Sequence, residues 1–367
     1  MQIGTLIILF LYVILIIRYT LGWHKVKAIT NKYFTPKVSI VIAMRNEENE
    51  VERLLQNLHS QIYPTDKLEL ILVNDHSTDN TLSILNSSQL DNLQVINMPN
   101  GMFGKKKAIK EAIDIASGDI ILTSDADCSF SQNWVQTMTN YFSDENIKLV
   151  SGPVAFYKQK GILLRLQELE FSSLIGSAAG AIGINNAIFC NGANMAYRKQ
   201  VFLELNNFSN DTAASGDDVF LLHSVKAKYS NAIAFAKQEK AIVNTNAMQT
   251  FHDLINQRKR WTAKSSEYKD FASIYASFLV FFTNLALVFL FVFLFVSIQY
   301  FELFLLYFAL KFLVDLLLLA PVLKFFKKTE LVKWIFLFEI FYSFYIVLIV
   351  VLSFTKSFEW KGRTHSK

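Results

Sequence analysis

Cysteine is scarce in this chain, which has only Cys128 and Cys190 among its 367 residues. Two thiols at this spacing form neither a disulfide framework nor a cysteine-based metal site, and they are compatible with a reducing cytoplasm. The sequence also lacks internal repeats and low-complexity tracts, so repeat architectures are excluded.

Positive charge exceeds negative charge only slightly, with a formal net charge of +5. Lysine and arginine cluster beside the apolar segments, and no pattern typical of DNA or RNA binding occurs. We therefore expect the basic residues to face anionic lipid headgroups, and we expect no nucleic acid among the partners.

Apolar residues are plentiful: they make up 52% of the chain and concentrate at its two ends. Residues 3–17 carry no charge and are followed by Arg18, His24 and Lys25. This order predicts an N-terminal transmembrane helix over residues 1–23 of an inner or plasma membrane protein, with the basic flank in the cytoplasm. A cleaved signal peptide is the weaker alternative, because its basic residues would precede the apolar run.

The C-terminal region, residues 273–355, predicts two to three further spans, with candidates near 273–298, 303–323 and 332–354. The 324–333 loop and the 356–367 tail are both basic, so the positive-inside rule places both in the cytoplasm. Three full crossings would not satisfy that rule. The last candidate, which contains Glu339 and Ser343, is therefore predicted to be a re-entrant or interfacial hairpin.

Residues 36–265 predict an α/β domain, because short β-rich runs alternate with amphipathic helical stretches, as in βαβ units. The predicted strands are 38–43, 68–73, 93–97 and 120–124, and the helical stretches between them are 47–61, 80–85 and 106–116. We expect a mostly parallel mixed sheet covered by helices, with apolar helices at the N- and C-terminal ends of the chain.

The most informative motif is Asp125-Ala126-Asp127, which ends the apolar run 119–124. Two carboxylates at the end of a buried strand lie at the carboxyl edge of a sheet, where α/β folds bind ligands. Their hard oxygen atoms suit Mg2+ or Mn2+ carrying a diphosphate. For the triplet alone, a solvated strand end is an equally good explanation.

Polar residues also follow the first two predicted strands. Glu47 and Asp75 lie just before helices, whose N-termini favour anionic or nucleotide ligands. Nearby, Ser77 and Asp79 are better explained as helix caps. Lys105 opens the next helix, where a cation opposes the helix dipole unless an anion binds beside it. This favours a phosphate or base contact, with a solvated basic turn as the alternative.

Two later segments carry reactive groups. Asp217 and Asp218 begin an amphipathic helix, where one of them could act as a general base or simply cap the helix. Gln257-Arg258-Lys259-Arg260-Trp261 precedes the C-terminal apolar region. Its guanidinium groups suit phosphates and its indole suits a sugar ring, although a membrane-interface anchor would have the same composition.

In their order, these elements resemble the family 2 glycosyltransferases, which have the GT-A nucleotide-diphosphosugar-binding fold. The similarity is to the membrane-bound branch that includes cellulose, chitin and hyaluronan synthases and lipid glycosyltransferases. It covers roughly residues 36–265 and rests on Val38-Ser39-Ile40-Val41-Ile42 with Asn46-Glu47-Glu48, Asn74-Asp75-His76-Ser77-Thr78-Asp79, Gly104-Lys105, Asp125-Ala126-Asp127, Gly216-Asp217-Asp218 and Gln257-x-x-Arg260-Trp261. Each element is weak alone, but the ordered set is specific.

The resemblance implies a role for each matching residue. Asp218 matches the catalytic base of an inverting transfer, with Asp217 as the alternative because Gly216-Asp217 replaces the commoner Thr-Glu. Asp127 matches the metal ligand. The residues that match donor contacts are Glu47, Asp75, Lys105, Asp125, Asp127, Gln257 and Arg260, and those assigned to the acceptor are Trp261, Asn191 and Asn194.

The sequence also departs from the family pattern, with Ala43 where proline is frequent and His76 where glycine is usual. The prediction is a metal-dependent, membrane-bound inverting glycosyltransferase with a cytoplasmic catalytic domain. We expect it to move a sugar from a nucleotide-sugar donor, a UDP-sugar by preference, to a lipid or glycan acceptor. A processive polysaccharide synthase is the alternative, and a non-catalytic nucleotide-binding membrane protein is a further one.

Overall fold

The computed structural model describes residues 2–29, 33–158, 160–205, 217–265, 267–353, 357–360 and 363–366. The chain divides into two compact units. The sheet unit consists of Val26–Tyr157 and Ala187–Asn246. The helical unit consists of Met1–Lys25, Lys158–Asn186 and Ala247–Lys367.

The described helices are α1 (Gln2–Lys25), α2 (Val51–His59), α3 (Thr81–Asn86), α4 (Lys105–Ile115), α5 (Trp134–Thr139), α6 (Ile162–Gly183), α7 (Lys199–Leu205), α8 (Asp217–Lys228), α9 (Phe251–Ser265), α10 (Phe271–Phe293), α11 (Phe301–Phe325) and α12 (Ile335–Ser353). The described strands are β1 (Val38–Met44), β2 (Leu68–Asn74), β3 (Leu93–Asn97), β4 (Ile120–Thr123), β5 (Ser129–Phe130), β6 (Leu149–Ser151), β7 (Val154–Phe156), β8 (Met195–Arg198), β9 (Ile233–Phe235), β10 (Val243–Thr245), β11 (Ser357–Trp360) and β12 (Arg363–Ser366).

The main sheet of the sheet unit has the strand order β3-β2-β1-β4-β8-β6-β9. Strands β1 to β4 are parallel, and Val38 lies opposite both Leu68 and Ile120. β8 runs antiparallel to its neighbours β4 and β6. The interior strand β1 is almost entirely buried and mostly apolar, which is typical of a parallel strand covered on both faces. The predicted mostly parallel mixed sheet is confirmed.

Two amphipathic helices bring their N-termini to the carboxyl edge of this sheet. α2 buries Val51, Leu54 and Leu58, which recur at helical spacing on one face. α4 likewise buries Ala108 and Ile109 one turn before Ala112 and Ile113. Burying a leucine or isoleucine side chain contributes roughly 1.5–3 kcal/mol, so these faces fix where each helix begins.

A smaller sheet of the same unit has the order β5-β10-β7. β10 pairs antiparallel with β5, placing Val243 opposite Phe130 and Asn244 opposite Ser129. Because β5 begins two residues after Asp127, this pairing brings the end of β10 beside the acidic triplet.

The described part of the helical unit contains four helices that are long and apolar enough to cross a membrane: Ile3–Lys25, Phe271–Phe293, Ile298–Phe325 and Thr329–Ser353. These helices indicate a membrane protein. The first agrees with the N-terminal helix expected from the sequence.

α1 and α6 are in backbone contact, which only glycine at the contact points permits. A Cβ atom added to Gly22 would lie 1.9 Å from the carbonyl oxygen of Gly180. One added to Gly180 would lie 2.2 Å from the carbonyl oxygen of Tyr19. Small residues at such positions let two helices pack closely in an apolar environment.

The predicted hairpin at 332–354 is wrong in shape, because α12 is one continuous helix. Glu339 is 1% exposed and forms an ion pair with Lys311 of α11. Ser343 donates a hydrogen bond to Oδ1 of Asn284 in α10 at 2.8 Å. The polar side chains that favoured a hairpin are satisfied by other helices, which a reading of this segment alone misses.

The two units also differ from the predicted single domain over 36–265, because α6 and α9 belong to the helical unit. In the C-terminal tail, β11 and β12 form an antiparallel pair. The tail residues Lys356, Lys361 and Lys367, which entered the topology argument, lie outside the described residues.

Candidate active site

The carboxyl ends of β1, β2 and β4 lie side by side, because these strands are adjacent and parallel. The loops after β1 and β2 are joined by hydrogen bonds. The Asn46 N–H donates to Oγ of Ser77 at 3.0 Å, and the Glu47 N–H donates to Oγ1 of Thr81 at 2.8 Å. Oδ1 of Asn46 in turn accepts from the Thr78 N–H at 2.8 Å. The two predicted donor-binding loops therefore form one connected edge.

Asp75, at the end of β2, is 4% exposed and has both carboxylate oxygens engaged. Oδ2 accepts from the Gly104 N–H at 3.1 Å, and Oδ1 lies 3.0 Å from Nδ1 of His76. Asp75 therefore connects the end of β2 to the start of α4. A direct contact between Asp75 and a nucleoside stays a prediction.

His76 occupies the left-handed region of backbone conformation, with φ at +57°. Residues with a Cβ atom rarely adopt it, which explains why glycine is the usual residue at this point of the motif. The imidazole packs against Phe103, with the ring centroids 4.4 Å apart. Together with the contact to Asp75, this packing holds His76 in its strained conformation.

Lys105, the first residue of α4, forms an ion pair with Asp125. The anion expected beside this lysine is therefore supplied, in this structure, by the first carboxylate of the acidic triplet. The two side chains are 32% and 37% exposed, so a phosphate group can approach both. The preceding Gly104 has φ at +103°, a conformation that glycine adopts without strain.

Asp127 is held by residues that sequence reasoning did not single out. Its Oδ2 accepts from the Thr245 hydroxyl at 2.9 Å, and its main-chain carbonyl accepts from Arg53 at 2.9 Å. No local signal identifies Thr245, because its position depends on the pairing of β10 with β5.

The carboxylates of the acidic triplet suit a hard divalent cation whose remaining ligands come from a bound substrate. Within the described ranges, no group of three His, Cys, Asp or Glu side chains is placed to hold a metal. Asp125 and Asp127 are partly exposed and contribute carboxylate oxygens, the ligand type that Mg2+ and Mn2+ prefer. Diphosphate oxygens and water would complete such a coordination shell.

Asp218, in the first turn of α8, is oriented by two backbone N–H groups. Its Oδ2 accepts from Gly192 and its Oδ1 from Val219, both at 2.9 Å. The Thr123 hydroxyl at the end of β4 donates to the Gly192 carbonyl at 2.9 Å. These bonds link the strand that carries the acidic triplet to the predicted base. The side chain of Asp217, the alternative base, lies outside the described part of the chain.

The assignment of Asn194 to the acceptor site is wrong. Asn194 is 0% exposed, and its Oδ1 accepts from the Trp134 indole at 3.0 Å. Its Nδ2 donates to the carbonyls of Pro153 and Ala241, both at 2.8 Å. A side chain with these partners supports the core and does not reach a substrate. Asn191 caps the short turn that follows it, by accepting from the Ala193 N–H, and its acceptor role stays a prediction.

The two cysteines lie beside the candidate site, but their thiols are unreactive. Cys128 and Cys190 are 0% and 1% exposed. Burial raises the pKa of both thiols, and the nearby carboxylates of Asp127 and Asp218, respectively, raise it further. Neutral buried thiols are poor nucleophiles and poor metal ligands, so neither cysteine is a catalytic candidate.

The remaining predicted site residues, Gln257, Arg260 and Trp261, lie on α9 in the helical unit. Within that unit, Arg258 is 3% exposed and forms a buried ion pair with Glu170 of α6. Sequence reasoning gave Arg258 no individual role, because its partner lies 88 residues earlier in the chain.

Comparison with known proteins agrees with this architecture. Residues 39–205 match the sequence model described as glycosyl transferase family 2. Glycosyltransferase AglE of Haloferax volcanii is 26% identical over 227 residues, which are 61% of this chain and 71% of that protein. The beta-monoglucosyldiacylglycerol synthase of a Nostoc species is 26% identical over 236 residues, which are 62% of this chain and only 48% of that protein.

Among solved structures, the mannosyltransferase PcManGT from Pyrobaculum calidifontis, in complex with GDP-Man and Mn2+, is similar, with a TM-score of 0.58. The match covers 93% of this chain and 96% of that one at 16% identity, which is evidence for the fold alone. The chain therefore has the GT-A fold within a membrane protein, and its residues 39–205 match the family 2 glycosyltransferases.

Proposed function

We propose that this protein is a membrane-bound inverting glycosyltransferase that moves a sugar from a nucleotide-sugar donor to a lipid or glycan acceptor. The observation that carries the proposal is the linkage of two acidic groups within the sheet unit. Asp125 and Asp127 follow β4, and the Thr123 and Gly192 hydrogen bonds tie that strand to Asp218. Metal-binding carboxylates and a separate base are the groups that this transfer needs.

In the proposed reaction, Asp218 is the general base. Its carboxylate takes the proton of the acceptor hydroxyl while the hydroxyl oxygen forms a bond to the anomeric carbon. The bond from that carbon to the diphosphate oxygen breaks, and the nucleoside diphosphate leaves. A single in-line displacement of this kind inverts the anomeric configuration. The N–H groups of Gly192 and Val219 orient the carboxylate for proton transfer and leave lone pairs free to receive the proton.

The donor diphosphate requires positive charge around it. Lys105 supplies a cation that in this structure pairs with Asp125, and Asp127 is the proposed metal ligand. A bound Mg2+ or Mn2+ would neutralise the charge that develops on the departing diphosphate. The further proposed donor contacts are Glu47, Asp75, Gln257 and Arg260, and the proposed acceptor contacts are Trp261 and Asn191.

A UDP-sugar is our preferred donor and a membrane lipid our preferred acceptor. The four apolar helices in the described part of the chain keep the protein in the bilayer where lipid acceptors reside, and one curated relative is named for glycolipid synthesis. The basic residues Arg18, His24 and Lys25, towards the C-terminal end of the first span, favour a cytoplasmic catalytic domain, where nucleotide sugars are available.

A processive polysaccharide synthase is the second candidate, and the Gln257-x-x-Arg260-Trp261 element favours it. Against it, the four candidate spans among the described residues are few for a chain that must also form a translocation pore. A nucleotide-binding protein without activity is the third candidate, but an oriented Asp218 has no purpose in a domain that only binds.

The proposal is tested by supplying purified protein in nanodiscs with Mn2+, native lipid extract and a panel of UDP- and GDP-sugars. We expect nucleoside diphosphate release with one donor, dependent on lipid, and a product carrying one or a few sugars. A long polymer would establish the synthase instead. Absence of both release and donor binding across the panel would refute the enzyme proposal.

A further inference from the structure

α9 carries Gln257, Arg260 and Trp261, and Arg258 fixes this helix within the helical unit. Nε of Arg258 lies 3.1 Å from both carboxylate oxygens of Glu170, and Nη2 lies 2.7 Å from Oε2. Both side chains are less than one-tenth exposed. A buried charged pair with several hydrogen bonds has one favoured geometry, so it sets the rotation of α9 relative to α6.

The same guanidinium contacts two of the three predicted site residues. Its Cζ lies 4.2 Å from the centroid of the Trp261 ring, a cation–π contact. Its Nη1 donates to Oε1 of Gln257. With its oxygen engaged in this way, the Gln257 amide keeps its NH2 group for an anionic ligand, which suits the proposed contact to a diphosphate.

Glu170 links this arrangement to one further helix of the unit, α12. Oε2 of Glu170 also accepts from the Tyr345 hydroxyl of α12 at 3.5 Å. The next residue of α6, Phe171, lies beside the Trp261 indole, with ring centroids 6.2 Å apart. Trp261 is thus contacted by Arg258 and by α6, while its ring is only partly buried.

We infer that Arg258 and Glu170 are positioning residues, which orient Gln257 for the donor diphosphate and Trp261 for the acceptor. The inference rests on the proposed function for those two residues. A planar guanidinium is required, because it alone can pair with a carboxylate, stack on an indole and donate to an amide at once. Lysine would keep the charge and lose this geometry.

The helical unit offers a matched control in Glu168, two residues before Glu170 on α6. Glu168 is also buried, and it pairs with Lys328 at 2.7 Å, after α11. Glu168→Gln therefore removes a comparable ion pair from the same helix without touching α9. Glu168→Gln and the corresponding change Glu170→Gln should therefore lose similar thermal stability.

The experiment compares wild type, Glu170→Gln, Arg258→Lys and Glu168→Gln in nanodiscs, titrating donor and acceptor separately. We expect Glu170→Gln and Arg258→Lys to lower kcat and raise the acceptor KM, each by about tenfold or more, and Glu168→Gln to leave KM unchanged. An equal effect of Glu168→Gln, or full activity of Arg258→Lys, would overturn the inference. A loss of kcat that is fully accounted for by fewer folded molecules, with unchanged KM, would also overturn it.

A second readout does not depend on turnover. Hydrogen exchange measured by mass spectrometry should become faster across Phe251–Ser265 in Glu170→Gln and stay at the wild-type rate there in Glu168→Gln. Unchanged exchange in Glu170→Gln would refute the anchoring of α9. If the wild type transferred no sugar while exchange behaved as expected, the proposed function would fail and the anchoring would stand.

Discussion

At the scale of single residues, backbone N–H groups orient two carboxylates of the candidate site. Asp75 accepts from Gly104, and Asp218 accepts from Gly192 and Val219. A backbone donor is fixed by the conformation of its loop, so changes in loop conformation act on the site as directly as changes of the acidic side chains. Gly104 offers the clearest test, because its φ of +103° is strained for every other residue.

We predict that Gly104→Ala destabilises the fold by about 1–3 kcal/mol and also weakens donor binding. The space around a new Cβ is open, so the cost comes from backbone strain that shifts the Gly104 N–H away from Asp75. Gly161→Ala is the matched control, because Gly161 has φ at +115° but lies in the helical unit, where it is the N-cap residue before α6. Calorimetric titration with a donor nucleotide should show weaker binding for Gly104→Ala alone; equal affinity in both variants would contradict the prediction.

The sequence predicted the acidic residues of the site but not the groups that hold them. Asp125, Asp127 and Asp218 stand out because their residue types and order carry information. Thr245, Gly192 and Arg258 do not, because each acquires its role from a contact distant in the chain. Asn194 was misassigned for the same reason, since only the fold shows that Trp134, Pro153 and Ala241 surround it.

At the scale of elements, the first four strands, β1 to β4, were predicted to within one residue at each end, because β-rich runs bounded by polar residues are a strong local signal, and the later strands were not predicted. The error at 332–354 has the opposite cause. Glu339 and Ser343 of α12 are paired with Lys311 and Asn284, which lie on other helices and give no signal within 332–354.

Glu69 joins two neighbouring strands and the turn before a third. Its carboxylate accepts a hydrogen bond from the Ser39 hydroxyl of β1. It also accepts from the N–H and from the hydroxyl of Ser117, both at 2.8 Å. Burial acts to raise the pKa of Glu69, but the hydrogen bonds from Ser39 and Ser117 outweigh it and hold the pKa below its usual 4.5. The stabilising contribution is therefore present above pH 4.5 and is lost as the pH falls through the lowered pKa.

We predict that Glu69→Gln has a lower melting temperature than wild type at pH 7. This difference in melting temperature should shrink as the pH falls below 4.5. The measurement is thermal unfolding of both proteins in detergent across this range. Glu52→Gln, a change at an exposed position of α2, should follow the wild-type curve throughout. A gap between Glu69→Gln and wild type that does not vary with pH would contradict the argument.

The contact between α1 and α6 gives a prediction for packing. Gly180→Ala should lower the melting temperature, because the new Cβ would meet the Tyr19 carbonyl and force the helices apart, at a cost of about 1–3 kcal/mol. Gly4→Ala in α1 is the control, because nothing lies within 4 Å of its added Cβ. There the better helix propensity of alanine should leave stability unchanged or slightly higher. Equal melting temperatures for the two variants would show that the backbone contact does not form.

At the scale of the whole molecule, the proposed orientation places the sheet unit in the cytoplasm and the segment between α10 and α11 outside. The native cysteines are buried, so single introduced cysteines report topology with little background. In intact cells, a membrane-impermeant maleimide should label Gln299→Cys, while Glu52→Cys should react only after permeabilisation. The reverse pattern would place the catalytic domain outside and remove the supply of nucleotide sugar.

The central claim is that Asp218 deprotonates the acceptor. The most direct measurement is sugar transfer by Asp218→Asn beside donor binding by the same protein, with Asp119→Asn, an exposed change at the opposite end of β4, as control. We predict that Asp218→Asn binds the donor normally and transfers about 10²- to 10⁴-fold more slowly, while Asp119→Asn matches wild type. Transfer by Asp218→Asn at the wild-type rate would contradict the account.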